Sequence, residues 1–342
     1  MRTLLDMSFA ELGEYLAGLG QQRYRAGQIM RWLLRGIDFE GMTDLPAAFR
    51  ETLAREALTG LPRVADKLTS SRDGTIKLLL ELGDGELVES VVMDYEHGKS
   101  VCVSSQAGCR MGCKFCASTL NGMKRPLTAG EMLGQVIVAQ RESGARVGGV
   151  VVMGIGEPFD NYDNLVRFLR LITAPEGLNI GSRHISVSTC GMVDGIRKLA
   201  REELPVTLSV SLHSAINSVR SKIMPINNKW QVEELLSACR EYFEVTGRRI
   251  SFEYILIAGV NDGVSDAAAL AGMLGEFMRG VPAHVNLIPY NPVKEREFAT
   301  PDRDTVTKFK AVLERKGVNV TVRRRLGPDI NASCGQLRAG KM

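Results

Sequence analysis

A chain of 342 residues, 44% hydrophobic and 24% charged, can bury a globular core and is long enough for about two domains. No apolar run approaches the roughly 20 residues that span a bilayer, and the N-terminus MRTLLDMSFAEL lacks the pattern of a secretory leader, so a cytoplasmic protein off the membrane is expected. Seven cysteines without such a leader argue against a disulfide framework, and a net charge of +4 is too small alone to argue for a nucleic-acid partner.

The first sixty residues read as helices. FAELGEYLAGLG has helical apolar spacing and stops at Gly20, RYRAGQIMRWLLRGI repeats it, and LPAAFRETLAREAL resumes it after the break at Asp44 and Pro46. Residues 64–93 turn to strand character: TIKLLLEL and ELVESVVM are joined by GDG and preceded by SRDG, which predicts hairpins. Alternation puts Leu87, Glu89, Val91 and Met93 on one face, so Glu89 stands in an otherwise apolar row or at an edge. From residue 100 the runs SVCVSS, GGVVVMG, RHISVST, PVTLSVSL, RISFEYILI and HVNLIPY alternate with helical stretches such as AGEMLGQVIVAQ and QVEELLSACREYF. Such alternation is the pattern of right-handed βαβ units on a parallel sheet. Six units predict an α/β fold with a partial (β/α)6 barrel rather than a closed eightfold one. The expected division is a helical domain over 1–62, which the family resemblance given below marks as of RNA-binding type, a β-hairpin region over 63–97, and a barrel core over 98–342.

Folds of this kind gather chemistry at the C-terminal ends of strands. GCRMGCKFCAST sets Cys109, Cys113 and Cys116 at C-x3-C-x2-C spacing after the first run. Three thiolates on one tight loop can each bind a separate iron of a cubane cluster and leave the fourth iron open to a small molecule. Structural zinc wants four ligands, normally as two separated C-x2-C pairs, and there is no second pair. Cys190 and Cys239 suit buried, inert thiols. GIGEP, residues 154–158, is a turn whose backbone and Glu157 can meet an ammonium group, although a plain strand-ending turn reads the same. Ser188, Ser211, Leu212, His213 and Asn291 fall at further strand ends on that rim, with a satisfied core histidine as the other reading of His213. Between His97 and Gly130 there are Lys99, Arg110, Lys114, Lys124 and Arg125 and no acid, and from Lys316 onward six Lys or Arg face Asp329 alone. These stretches read either as a footprint for a phosphate backbone or as a solvated loop and tail. The first 63 residues balance eight acids against eight bases, so that domain does not bind RNA by charge alone.

The cysteine motif, with an aromatic before its last cysteine, resembles the radical S-adenosylmethionine (SAM) superfamily. VCVSSQAGCRMGCKFCAST, GIGEP, SVSLHSAINSVRSKIMPIN, LIPYNP and PDINASCGQL, with RYRAGQIMRWL and MTDLP near the N-terminus, resemble its adenine-C2 methyltransferase family over nearly the whole chain. The resemblance implies one [4Fe–4S] cluster on Cys109, Cys113 and Cys116, and two SAM per turnover, held by Gly156, Glu157, Ser188, Ser211, Leu212, His213 and Asn291. It implies methylation at C2 of adenosine 2503 of 23S ribosomal RNA and adenosine 37 of certain transfer RNAs, by a monomer served by an external flavodoxin- or ferredoxin-type electron donor. It further implies Cys334 as an S-methylcysteine carrier, Cys102 as the thiol that resolves a protein–RNA adduct through a transient disulfide with Cys334, and Glu89 as proton acceptor. Desolvation in an apolar row favours the neutral acid and suits Glu89 to that task near neutral pH. The target adenosine must leave its stack to be reached. A C8-methylating sister branch, another radical SAM enzyme, or a zinc-bound RNA module are the rival readings. The need for Cys334, the carbon that gains the methyl, and the brown colour of a cluster separate them.

Overall fold

The computed structural model describes residues 1–96 and 98–338. Ten strands form one mixed sheet in simple chain order: β1 (Arg63–Thr69), β2 (Ile76–Glu81), β3 (Leu87–Tyr95), β4 (Gly98–Cys102), β5 (Val147–Val152), β6 (Ile185–Thr189), β7 (Thr207–Ser211), β8 (Ile250–Leu256), β9 (Ala283–Pro289) and β10 (Val320–Val322). Pairs from β1 to β4 are antiparallel, and pairs from β4 to β10 are parallel. The last strand does not close on the first, so the parallel part is an open barrel. The six β-rich runs of the sequence are β4–β9; β10, three residues long, adds a strand that the runs do not announce.

Helices α1 (Phe9–Gly18), α2 (Tyr24–Leu33) and α3 (Ala47–Glu56) precede the sheet, and Arg2–Thr3 pairs with Ala57–Leu58 to close that segment. Its apolar residues Leu16, Ile29 and Leu53 belong to the same buried cluster as Val136 and Val150 of the barrel. The parallel strands are bridged by α4 (Ala129–Ser143), α5 (Tyr162–Thr173), α6 (Val193–Leu199), α7 (Asn217–Ile223), α8 (Val232–Thr246), α9 (Val264–Phe277) and α10 (Arg303–Arg315). The longer ones start and stop on local chemistry. Thr128 and Glu131 form a reciprocal cap at the start of α4, and Gly144 ends it at φ +63°.

Parallel sheets covered on both sides usually read as unbroken apolar runs. Here β6 and β7 alternate. Ile185, Val187, Leu208 and Val210 are fully buried in the main apolar cluster, whereas Ser186, Ser188, Ser209 and Ser211 line the hollow interior. The interior is therefore polar and open to a ligand.

After β10 the chain crosses back over the sheet as a loop that is tied at several points. Asp329 accepts from Ser70 Oγ (2.7 Å) and Ser71 N (3.0 Å), and Asp73 accepts from Gly327 N (3.0 Å), fastening the loop to the β1–β2 turn. Farther along, Gly335 O accepts from Ala117 N (2.8 Å) and Leu337 O from Ser118 Oγ (2.7 Å), fastening it to the cysteine loop. Among the described residues no helix is long and apolar enough to cross a membrane.

Candidate active site

Cys109, Cys113 and Cys116 sit on the loop after β4, between two short strands, Gln106–Gly108 and Met123–Pro126. Gly108 closes that pair at φ +81°, where a Cβ would stand 2.0 Å from Gly122 O, so no larger residue fits. The three thiols line a cavity of about 120 Å³ at the ends of β5, β6 and β7, together with Gly156, Glu157, Ser188 and Ser211. Burial pushes the Cys109 thiol up to about 12 and raises Cys113 and Cys116 as well, so all three are protonated until a metal takes the proton's place.

Gly156 turns the chain at φ +111°, with a would-be Cβ 2.7 Å from both Gln106 Cβ and Ser105 Oγ. Glu157 is almost fully buried, and burial raises its pKa. Its Oε2 accepts from Cys190 N (2.7 Å) and Oε1 from Phe159 N (3.1 Å), so the carboxylate staples the end of β5 to the end of β6. Each oxygen keeps a lone pair for a ligand. His213 does not line this cavity. Its Nδ1 accepts from Ile255 N (3.0 Å), which puts the proton on Nε2, and burial drives its pKa down to about 3. It is a neutral core histidine whose ring meets Phe115 edge-on at 4.9 Å. The side chain of Leu212 is packed in the core. Asn291 lies elsewhere, donating from Nδ2 to Cys334 O (3.1 Å).

A second, smaller cavity of about 100 Å³ is lined by Cys334, Asn291, Met93, Arg323 and Arg324. Beneath it Cys102, at the end of β4, packs with Val91, Met93 and Ile155 against Leu326, Ala332 and Leu337 of the C-terminal loop. Burial, then the charge of Cys334, pushes the Cys102 thiol up to about 12, and Arg323 pulls the other way. Cys334 is also the first cause that holds the Arg323 guanidinium above its usual range. Arg323 Nη1 stands 3.6 Å from Glu253 Oε2, and Glu253 is itself held by Asn286 Nδ2 (2.9 Å). The loop that carries Cys334 thus packs over Cys102, the thiol predicted to work with it, and Arg323 lines the Cys334 cavity.

The surroundings of Glu89 differ from the expectation. Its face of the sheet is not purely apolar: Lys77, diagonal to it on β2, places Nζ 3.5 Å from Glu89 Oε1, and Glu89 Oε2 accepts from Arg338 N (2.8 Å). Lys77 stood unnoticed within TIKLLLEL because a lone charge in an apolar run gives no partner until strands are paired. The acid-free stretch is also less bare than it reads, since acids from other elements reach it. Arg110 pairs with Asp160, Arg125 with Asp84 and Glu131, and Lys99 with Asp94. In the tail Arg323 and Arg338 are paired as well, and Lys341 lies outside the described residues.

Residues 103–271 match the radical SAM superfamily, and residues 2–58 match the ribosomal RNA large subunit methyltransferase N-terminal domain. The chain is 49% identical, over 99% of its length and 97% of the relative's, to a probable dual-specificity RNA methyltransferase RlmN of Clostridium perfringens. It is 52% identical, over 97% of its length and 90% of the relative's, to the protein of the same name from Pelotomaculum thermopropionicum. The chain belongs to the RlmN family of radical SAM RNA methyltransferases. A crystal structure of a radical SAM methyltransferase from Sphaerobacter thermophilus matches it with a TM-score of 0.95 at 43% identity, covering 99% of this chain and 100% of that one.

Membership of the RlmN family implies a [4Fe–4S] cluster and SAM, and the donor set fits them. Among the described residues no three His, Cys, Asp or Glu side chains are grouped to hold a single metal ion. A cubane asks for something else: three thiols spread around a cavity wall, each addressing its own iron. One residue of this RlmN-family chain escaped the sequence reading. Arg220, fully buried on α7, donates from Nη2 to Cys190 O (2.8 Å) and Ser211 O (3.0 Å) and from Nε to Leu212 O (2.8 Å). It pins the ends of β6 and β7 behind the cavity. An arginine at helical spacing in SVRSKI reads as surface, and only the fold shows it pointing inward.

Proposed function

We propose that this enzyme methylates C2 of an adenosine in 23S ribosomal RNA and in transfer RNA through a methyl group carried on Cys334, using two SAM per turnover. The observation that carries the reading is the placement of the Cys334 loop: it is bonded to the cysteine loop at Ala117 and Ser118, and its Leu326, Ala332 and Leu337 pack against Cys102. A carrier must reach the cofactor on one side and its resolving partner on the other, and Cys334 stands between them.

Bound among Cys109, Cys113, Cys116, Gly156 and Glu157, the cluster and SAM supply a methyl group and a 5′-deoxyadenosyl radical. Cys334 Sγ holds the methyl as a thioether. Once that carbon has lost a hydrogen atom it bonds to C2 of the adenine, which ties the RNA to Cys334. Glu89 takes the C2 proton on a carboxylate oxygen, where its two present partners leave lone pairs unused, while the adduct passes its unpaired electron back to the redox chain and becomes a closed-shell thioether between Cys334 and the RNA. Cys102 Sγ then attacks Cys334 Sγ, the two sulfurs form a disulfide, and the carbon departs with the RNA and gains a proton to become methyl. Arg323 lines the Cys334 cavity, and its charge favours a thiolate on Cys102. Electrons come from an external flavodoxin- or ferredoxin-type donor, and a monomer suffices.

Single substitutions test the division of labour. Cys334→Ala should load iron and bind SAM yet form neither methylated protein nor methylated RNA. Cys102→Ala should complete every earlier step and stop with RNA attached to Cys334, seen as a ribonuclease-sensitive shift on a denaturing gel. Identical behaviour of the two variants, or full activity of Cys334→Ala, removes the carrier mechanism.

A further inference from the structure

A hollow of about 690 Å³, larger than the cofactor cavity, lies at the opposite end of the barrel, where the parallel strands begin. That volume lies within the roughly 300–1,000 Å³ of ordinary ligand pockets. Its walls are hydroxyl and amide groups, Ser186, Ser209, Ser251 and Asn286 among them, and its rim carries Arg183, Arg249 and Arg324. These three arginines form no salt bridge and no hydrogen bond among the described residues. Among the described residues Glu253 is the one carboxylate in the lining, and it already faces Arg323. The rim is therefore a set of free guanidinium groups around a polar hollow, with no acid among the described lining residues left to oppose an anion.

The hollow also leads somewhere. Met153 lines both this space and the cofactor cavity. Arg323 and Arg324 line both this space and the cavity of Cys334. Along β7, Ser209 faces the hollow and Ser211 the cofactor cavity, two residues or about 7 Å apart.

Building on the RNA reading above, we propose that the RNA docks on the strand-start end of the barrel. Arg183, Arg249 and Arg324 clamp its phosphates, and the flipped adenosine enters through the hydroxyl-lined hollow, past Met153, to reach Cys102 and Cys334. Phosphates bind free guanidinium groups, and hydroxyls and amides suit the edges of an unstacked base. An acidic electron-transfer protein would also favour a basic rim. It has no use for a hollow of nucleotide size, and the cysteine loop lies at the other end of the strands.

The test uses the cluster-loaded full chain and a transfer RNA transcript, with binding followed by fluorescence anisotropy from about 50 to 200 mM salt. Arg183→Gln/Arg249→Gln removes two exposed, unpaired groups and should leave iron content, melting temperature and RNA-independent SAM cleavage unchanged. Each lost phosphate contact should lower the log–log salt slope by roughly 0.7–0.9, and affinity near 100 mM salt should fall about tenfold. Arg303→Gln/Arg315→Gln, which removes exposed arginines of α10, should change neither quantity. If wild type binds the RNA and Arg183→Gln/Arg249→Gln binds it with the same slope, the docking proposal is overturned while the methyltransferase reading stands. If wild type neither binds nor methylates any RNA, the methyltransferase reading itself fails. If the double variant keeps its RNA affinity but loses reduction by flavodoxin, the rim belongs to the electron donor and the proposal is again overturned.

Discussion

Replacing Glu89 by glutamine should do two separate kinds of damage, and a companion substitution can pull them apart. Lys77 and Glu89 are 5% and 2% exposed and stand 3.5 Å apart. Removing one member of a buried pair leaves the other charge without a counter-ion, which costs about 3–5 kcal/mol. Against a total of roughly 5–15 kcal/mol for a folded protein, that is a large loss. Glu89→Gln keeps an oxygen for the Arg338 N–H, so the loss traces to the stranded ammonium of Lys77. Lys77→Met should cost a similar amount through the stranded carboxylate. Lys77→Met/Glu89→Gln carries neither charge and should return to within about 1–2 kcal/mol of wild type, a coupling of several kcal/mol in the cycle. Urea unfolding of the four proteins measures it. Two small single losses that simply add would show that the pair holds nothing together. The rescued double variant then reports on chemistry alone. It should methylate Cys334 and still release almost no methylated RNA. Turnover that returns together with stability would reduce Glu89 to a structural residue.

Gly156→Ala should lose about 2–6 kcal/mol, combining a side chain at φ +111° with a Cβ 2.7 Å from Gln106 Cβ, whereas Gly74→Ala, at φ +71° with open space around it, should lose only about 1–2 kcal/mol. Equal unfolding midpoints for the two would refute the tight cradle. His213 has a folded pKa of about 3, far below its ordinary value, so the unfolded chain takes up the proton first as pH falls. Its contribution is complete above about pH 6.5 and declines by about 1.4 kcal/mol per pH unit toward pH 3. His213→Asn, a residue that tolerates the φ of +57°, should show a flatter loss of stability between pH 7.5 and 5; parallel curves would contradict the buried neutral imidazole.

The fold was legible where periodicity and punctuation agreed. SVCVSS through HVNLIPY gave six parallel strands because each is a short apolar run flanked by a helix of proper length. Val320–Val322 stayed hidden because three residues carry no period. The cysteine triad was legible because its ligands are local in sequence. Glu89 was only half legible: its face was right, since Val91 and Met93 pack with Cys102 on that side, but Lys77 becomes its neighbour only through strand register. The placing of His213 and Asn291 on one rim could not be refined from sequence. Strand ends look alike until the chain shows that one ring turns back to Ile255 and the other amide turns toward the Cys334 loop.

The sheet changes sense once, at β4, and that junction separates two sets of site residues. Every residue of the cofactor cavity lies at the ends of the parallel strands or on the segments that follow them, while Glu89 and Lys77 come from the antiparallel hairpins and Cys102 stands on the strand both halves share. A sheet accepts new strands at its edge without rebuilding what lies inside. The hairpins can therefore be lengthened or substituted while the cofactor cavity keeps its lining. The limit on that freedom is register. A slip of one residue along β3 would swing Glu89 to the α4 side of the sheet, into the place where Ser90 now donates to Gln135 Oε1 at 2.8 Å.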